Sequence, residues 1–532
     1  MIKYKFKTKP RDHQLDALKV GWNKTFFAYL MGRGTGKTKV TLDNAAILYE
    51  QDKIDALLVI APNEVHDRWI TEQIPIHLPD RININTFIWP LLKKENPLEK
   101  GGLVILAMNI EALQYIKGKD FSRKFCRAHR TMVVIDESTR IKTPGIKRTR
   151  NITYLNKISS YRRILTGNET TTSPFNLYAP FKFLYSSFWN CNYTQFKEHY
   201  GEWIKQYART KRCKNETPCS ECKKIIRPLV VRFYNNKTRK WDVSFTCPDC
   251  KRKIKSANPK VTAEAKRIKK AEGLYEFPVL KNYKNLPELR HKISKHSFRV
   301  RKRDCLDLPE KIYDPIYAKL NKKQEEIYNE LKDKLFVEYE GHELTVLNKL
   351  SIWLRFQQIV GGFFPTDEEE LIFIGSPKMD RLLYDLEGND NDAVIIWAAF
   401  VAEIKLIANT LQSAFPKDRT ATFYGGTKKK DRSRIIDDFQ EGKIRFLVAN
   451  PEVGGVGLNL QRSNLHYYYS NSYKPEPRWQ SEDRSHRDGQ HWPVVYKDIF
   501  IKGTVDDNIK KSRERNVAIA EFFKDNNIED LI

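Results

Sequence analysis

The chain has 532 residues and carries 94 Lys and Arg against 66 Asp and Glu, a formal net charge of +28. That length suits three or four domains, and 40% hydrophobic content supports well-formed cores. The basic excess runs along most of the chain and points to a polyanionic partner, most simply nucleic acid. No stretch is long and apolar enough to span a membrane, and the basic opening MIKYKFKTKP lacks the apolar run of a signal peptide. Eight cysteines, four of them in CxxC pairs, fit metal binding in a reducing compartment better than disulfides.

Pro10-Arg11-Asp12-His13-Gln14 precedes a helical pattern with Leu15, Leu18 and Trp22. The Gln14 amide both donates and accepts, which suits reading an adenine edge and equally suits a plain surface position. An apolar run, Phe26 to Leu30, then reads as a buried strand, and a helical pattern starts near Lys37. Between them lies Met31-Gly32-Arg33-Gly34-Thr35-Gly36-Lys37-Thr38. Glycines let the backbone wrap phosphate oxygens with its amides pointing inward, and the helix N-terminus adds a favourable dipole. Gly34, Thr35 and Gly36 form the cradle, Lys37 can reach the β/γ-phosphates, and Thr38 can hold Mg²⁺. The pattern predicts a nucleoside-triphosphate site, although Met31 replaces the usual first glycine.

Strand-like runs recur between helical segments at Ala56 to Ala61, Leu103 to Ala107, Met132 to Ile135 and Arg163 to Thr166. This alternation predicts an α/β fold with a mostly parallel sheet, whose ligands bind at the carboxyl ends of the strands. Asp136-Glu137-Ser138 follows one such strand. Asp136 is placed to hold magnesium, and Glu137 to orient and deprotonate the attacking water. Leu165-Thr166-Gly167-Asn168-Glu169 ends the next strand and reads either as a coupling segment or as a turn.

The rhythm stops between about residues 175 and 300. Aromatics crowd Phe175 to Trp203 and predict a packed helical subdomain. Cys219 with Cys222, and Cys247 with Cys250, form two knuckles that can supply four thiolates to a tetrahedral Zn²⁺. The interval between them alternates like a hairpin, Leu229 to Tyr234 and Trp241 to Phe245, with a turn at Asn235-Asn236. We read a zinc ribbon at about residues 211–255, either a structural clip or a contact for nucleic acid or a protein partner. Lys251 to Lys270 reads as a basic helical stretch. Helical patterns follow at Leu320 to Tyr339 and Leu344 to Ile359, and Gly361-Gly362 suits a helix end and a hinge. From Ser376 the α/β rhythm returns without a second phosphate loop. This second lobe is expected to complete the nucleotide site through Gly454-Gly455-Val456-Gly457 and through Arg484 and Arg487. The two arginines sit three apart on one helical face and are suited to neutralise charge on a γ-phosphate. The expected organisation is a first lobe at 1–175, an insertion at 176–310, a helical linker at 311–375 and a second lobe at 376–532.

Taken together these residues resemble the Swi/Snf-type translocases of helicase superfamily two. The resemblance rests on His13-Gln14, GTGKT at Gly34 to Thr38, APxxxxxxW from Ala61 to Trp69, and DES at Asp136 to Ser138. It continues through LTG at Leu165 to Gly167, RKRDxxxLP from Arg301 to Pro309, GGxGLNL at Gly454 to Leu460 and QxxDRxxRxGQ at Gln480 to Gln490. It implies two RecA-like lobes closing on ATP and Mg²⁺, with Lys37, Asp136 and Glu137 serving hydrolysis, Arg484 and Arg487 as arginine fingers, and Gly455 among the nucleotide-binding residues. It implies movement along duplex or forked DNA in replication, repair or recombination. Phe356-Gln-Gln-Ile-Val-Gly-Gly looks closest to the annealing-helicase branch. Asn168-Glu169 stands where the family has Thr-Pro, and Thr139 where it often has His. A strand-separating helicase, an RNA-directed ATPase and a DNA-binding scaffold with an ATP switch are the alternatives. Lys, Ile and Asn richness suits a bacterial or phage source and a cytoplasmic setting, or a nuclear one in a eukaryote.

Overall fold

The computed structural model describes residues 4–63, 65–92, 96–167, 173–212, 217–219, 225–226, 229–235, 240–247, 261, 273–334, 336–339, 342–345, 349–366, 370–389, 393–454, 458–472 and 475–514. Asn168-Glu169, Asn236, Cys222, Cys250, Gly455, Gly457 and nearly all of the basic stretch 251–270 lie outside these residues.

Two fully parallel sheets carry the fold. The first runs in the order Ser297–Val300, Phe26–Met31, Tyr161–Thr166, Thr131–Ile135, Ala56–Ala61, Leu103–Asn109, Ile84–Ile88. Helices cover both faces of such a sheet, so its inner strands are apolar without alternation. Every residue of Ala56–Ala61 and of Thr131–Ile135 is buried. The helix Lys37–Glu50 packs its Val40, Leu42, Ala45 and Ile47 into the same core as Phe27, Leu57, Val59 and Val134.

The second sheet runs Lys311–Tyr313, Val494–Ile501, Leu465–Tyr468, Val394–Trp397, Phe446–Ala449, Thr420–Phe423, with Ile316–Ala318 also pairing with Val494–Ile501. It has a core on each face, one built around Leu382, Ile404 and Ile407 and the other around Phe423, Phe439 and Tyr496. The helices Lys322–Lys334 and Lys349–Val360 pack through Tyr328, Leu331, Trp353 and Phe356 against Val505 and Ile509 of the last described helix. Gly362 closes the second of them at φ +106, in the left-handed region that glycine enters freely.

Sheet pairing corrects the expected limits. Ser297–Val300, expected in the insertion, is a strand of the first sheet, in parallel register with Ala28–Met31. Residues 311–318, expected in a helical linker, supply strands to the second sheet.

The insertion is also less helical than expected. Cys191–His291 form a separate compact unit. Among its described residues an antiparallel four-stranded sheet dominates, in the order Lys240–Thr246, Leu229–Asn235, Gly201–Arg212, Gly273–Tyr283. The expected hairpin is present, with Val230 opposite Phe245 and Tyr234 opposite Trp241. Two long strands that lack a clean apolar alternation extend it, which is why they were not legible. Cys219 and Cys247 are buried. Cys219 directly follows Thr217–Pro218, which pairs antiparallel with Ile225–Ile226, so a short hairpin brackets the first knuckle.

Candidate active site

The turn between Phe26–Met31 and Lys37–Glu50 needs glycine at two points. Gly34 has φ +77 and Gly36 has φ +85. A Cβ on Gly36 would sit 2.2 Å from Gln14 Nε2, so only glycine lets Gln14 lie against the loop. Gln14 Nε2 donates to the Thr35 carbonyl at 3.0 Å, and His13 Nε2 lies 2.9 Å from the same oxygen. Gln14 Oε1 accepts from Arg11 N at 3.1 Å. Both ends of that amide are therefore engaged here, one on the loop and one on the start of its own helix, and an adenine edge would have to compete for them. Thr35 is buried and its hydroxyl donates back to the Gly32 carbonyl at 2.7 Å. Lys37 Nζ donates to the Met31 and Gly32 carbonyls at 3.0 and 3.1 Å, which holds the ammonium inside the loop. Thr38, half-buried, opens the helix beside it.

Asp136 leaves the buried strand Thr131–Ile135 with its amide bonded to Ile60 O at 2.8 Å. Its carboxylate is fixed from two sides, by Trp69 Nε1 at 3.1 Å and by Glu137 N at 2.9 Å. Glu137 adopts φ +49, a strained value for a side-chain-bearing residue. Burial and then the Glu137 charge push Asp136 up to about 6, against the pull of Lys37 and the Trp69 hydrogen bond. Burial pulls Lys37 down, while Glu137 and Asp136 hold it up. The three groups thus form one buried electrostatic cluster. The Asp136 carboxylate and the Thr38 hydroxyl are oxygen donors of the kind a hard divalent cation such as Mg²⁺ takes, and its charge would relieve the buried Asp136 carboxyl.

Gly167, at the end of the strand Tyr161–Thr166, joins the cluster. A Cβ on Gly167 would meet Arg33 Cγ at 2.5 Å and Lys37 Nζ at 3.1 Å.

The second sheet contributes the helix Pro475–Ser485 and the turn after it. A Cβ on Gly34 would lie 3.7 Å from Arg487 Cβ, so Arg487 stands over the phosphate loop. Burial and Arg33 push Arg484 down to about 10, with Asp483 and Glu137 acting in the opposite sense. Arg487 is therefore brought to the phosphate loop, and Arg484 within electrostatic reach of Glu137. Arg478 anchors their helix: it is 3% exposed, pairs with Asp498 at 2.6 Å and Glu482 at 2.6 Å, and lies 3.2 Å from the Tyr468 ring centre. Ser485 Oγ donates to Leu460 O at 2.7 Å, tying the helix to the Leu458–Leu460 segment.

Reasoning from sequence missed several contributors. Trp69 entered only as part of a motif, yet a buried indole N–H needs an acceptor, and here it takes Asp136. Arg33 and Asp483 pair at 3.6 Å, and Arg11 pairs with Asp488 at 2.5 Å. Lys302 pairs with Asp483 at 2.9 Å. The signal that could have found them is the Asp-Arg-x-x-Arg-Asp charge pattern at 483–488, which needs cations opposite its acids. The structure describes only Cys219 and Cys247 of the four zinc candidates.

Comparison with known proteins adds the following. The SNF2-related domain matches residues 30–360, and the helicase conserved C-terminal domain matches residues 377–489. An uncharacterized ATP-dependent helicase of Mycoplasma genitalium is 26% identical over 271 residues, covering 48% of this chain and 26% of that protein. The SNF2 domain-containing protein ENL1 of Oryza sativa is 23% identical over 507 residues, covering 90% of this chain and 47% of that protein. The chain thus spans less than half the length of either relative. The solved SWI2/SNF2 ATPase core of Sulfolobus solfataricus in complex with dsDNA aligns at a TM-score of 0.39 and 20% identity, covering 99% of this chain and 94% of that one.

Proposed function

The chain belongs to the SNF2-related family, and we propose that it is a DNA-dependent ATPase that moves along duplex or forked DNA in replication, repair or recombination. One observation carries the reading: from the second sheet, Arg487 stands over Gly34 of the phosphate loop and Arg484 lies within electrostatic reach of Glu137 from the first. A site assembled from both sheets couples hydrolysis to their opening and closing, whereas a nucleotide switch on one lobe needs no arginine from the other. In this reading Lys37 and the loop amides hold the phosphates, and Glu137 takes a proton from the attacking water. The two arginines stabilise charge as it develops on the transferred group. Bound Mg²⁺, held through Asp136 and Thr38, supplies further charge neutralisation. The +28 net charge supports a polyanionic track.

Steady-state ATPase activity without nucleic acid, and with single-stranded, duplex and forked DNA and RNA, tests the proposal. Duplex or forked DNA should stimulate strongly, and Glu137→Gln should abolish hydrolysis while ATP still binds. Stimulation by RNA or single strands alone would refute the duplex track and favour strand separation. We also propose that Cys219, Cys222, Cys247 and Cys250 hold one Zn²⁺, which the paired thiols and the buried placement of Cys219 and Cys247 support. Metal analysis should find about one zinc per chain, lost in Cys219→Ser/Cys250→Ser.

A further inference from the structure

Arg33 is an unusual occupant of a phosphate loop. Loops of this kind leave their cationic work to the lysine at the end, here Lys37. A second long cation must either reach the nucleotide or be held elsewhere. The side chain is 9% exposed. Its stem crosses the face of Gly167, where Arg33 Cγ lies 2.5 Å from the position a Cβ would take. Its guanidinium then reaches the other sheet's helix, with Nη1 3.6 Å from Asp483 Oδ2. One side chain thereby touches the phosphate loop, Gly167 at the end of the strand Tyr161–Thr166, and the residue immediately before Arg484.

Asp483 receives a second cation from the first lobe. Lys302 Nζ lies 2.9 Å from its Oδ1 and also bonds the His486 carbonyl. The backbone of Lys302 packs on the phosphate loop itself, since a Cβ on Gly32 would meet Lys302 N at 2.8 Å. Arg33, on the loop, and Lys302, just after the flanking strand, therefore converge on one carboxylate. Burial opposes a charged Asp483, but Lys302, Lys311 and Arg33 outweigh it and hold the carboxyl below its ordinary range. Without Asp483, Arg33 would face Arg484 as an unscreened like charge. With it, the two arginines are separated by a shared counter-ion.

We propose that Arg33 is a positioning residue for the arginine pair: through Asp483 it fixes Arg484 and Arg487 over the phosphate loop, and it acts on hydrolysis rather than on nucleotide binding. The inference rests on the reading of Arg484 and Arg487 as phosphate-facing residues. A residue that only places another group in the transition state lowers kcat and leaves KM alone. A residue that binds the phosphates directly raises KM.

The test uses the full chain with saturating duplex DNA. Arg33→Gln keeps much of the stem on Gly167 and removes the charge, Arg33→Lys restores the charge, and Asp483→Asn removes the partner. Thermal unfolding of each variant verifies folding. We expect Arg33→Gln to lower kcat about tenfold, equivalent to about 1.4 kcal/mol, with KM for ATP within about twofold of wild type. Arg33→Lys should recover most of the loss. The Arg33→Gln/Asp483→Asn double variant should be no slower than the slower single variant, because each single change already removes the Arg33–Asp483 pair. A raised KM with kcat intact would overturn the proposal and make Arg33 a direct phosphate ligand. Fully additive losses, or an Arg33→Lys variant as slow as Arg33→Gln, would overturn it as well. The underlying reading fails separately, and visibly, if Arg484→Ala hydrolyses ATP at the wild-type rate.

Discussion

Replacing Asp136 with asparagine should make the nucleotide-free protein more stable while it destroys activity. Asp136 is 8% exposed, and burial, then Glu137, raise its carboxyl from 3.8 to about 6. A carboxyl raised in the folded state binds its proton more tightly folded than unfolded. The cost of holding it charged is therefore fully present above about pH 6, and it fades as pH falls toward 3.8. That difference corresponds to roughly 3 kcal/mol. Asparagine removes the charge, but its single oxygen can accept from only one of the two donors, Trp69 Nε1 and Glu137 N. One lost hydrogen bond returns about 1 kcal/mol. The net expectation is a gain of about 2 kcal/mol at pH 8, shrinking to about 0.5 kcal/mol near pH 5. Denaturant unfolding of both proteins in chelator without nucleotide, at steps between those pH values, measures it. An asparagine variant less stable at pH 8, or a difference that does not change with pH, would refute the argument. Such a result would mean that Asp136 carries no burial cost for a cation to relieve.

Three further outcomes follow from the same geometry. Trp69→Phe removes a hydrogen bond that holds the Asp136 carboxyl down, so the acidic limb of the ATPase pH profile should move up by about half to one unit; an unmoved limb would show that Trp69 does not act on Asp136. Gly36→Ala forces a side chain into φ +85 and into Gln14 Nε2, and should cost nucleotide affinity more than about tenfold in an ATP-analogue titration. Arg163→Leu should destabilise the first lobe by about 2–3 kcal/mol in chemical unfolding, because it removes buried hydrogen bonds to three acceptors at once. Those acceptors are Gly21 O and Trp22 O, both at 3.1 Å, and Asn44 Oδ1 at 2.8 Å.

The parallel strands were legible because a strand covered on both faces must be apolar throughout. Ala56–Ala61 and Met132–Ile135 could hardly be read otherwise. The phosphate loop and Asp136-Glu137 were legible because their chemistry depends on local spacing. What escaped depends on partners distant in sequence. Ser297–Val300 is four residues beside a cluster of basic ones, and only pairing with Phe26–Met31 makes it a strand of the first sheet. Arg163 entered only as the first residue of a strand-like run, yet it is fully buried and braces the end of the helix Asp12–Gly21. No local pattern announces three acceptors converging on one guanidinium. Arg33 escaped for the same reason, since its partner Asp483 lies 450 residues away.

The placement of Ser297–Val300 has a consequence for how the chain is made. Phe26–Met31 emerges early from the ribosome, but its two neighbours are Tyr161–Thr166 and Ser297–Val300. Ala28 bonds to the His296 carbonyl and Gly32 to that of Val300, both at 2.9 Å. From Ala28 to its partner Ser297 is 269 residues, about 13–54 s of synthesis at typical rates. For that interval one border of the strand carrying the phosphate loop exposes unmatched amides, a template for pairing with another nascent copy. The entire Cys191–His291 unit must be translated before that border is sealed. The insertion therefore acts as a delay in the timetable of folding, and lengthening it would extend the period in which the growing lobe is open to misassembly.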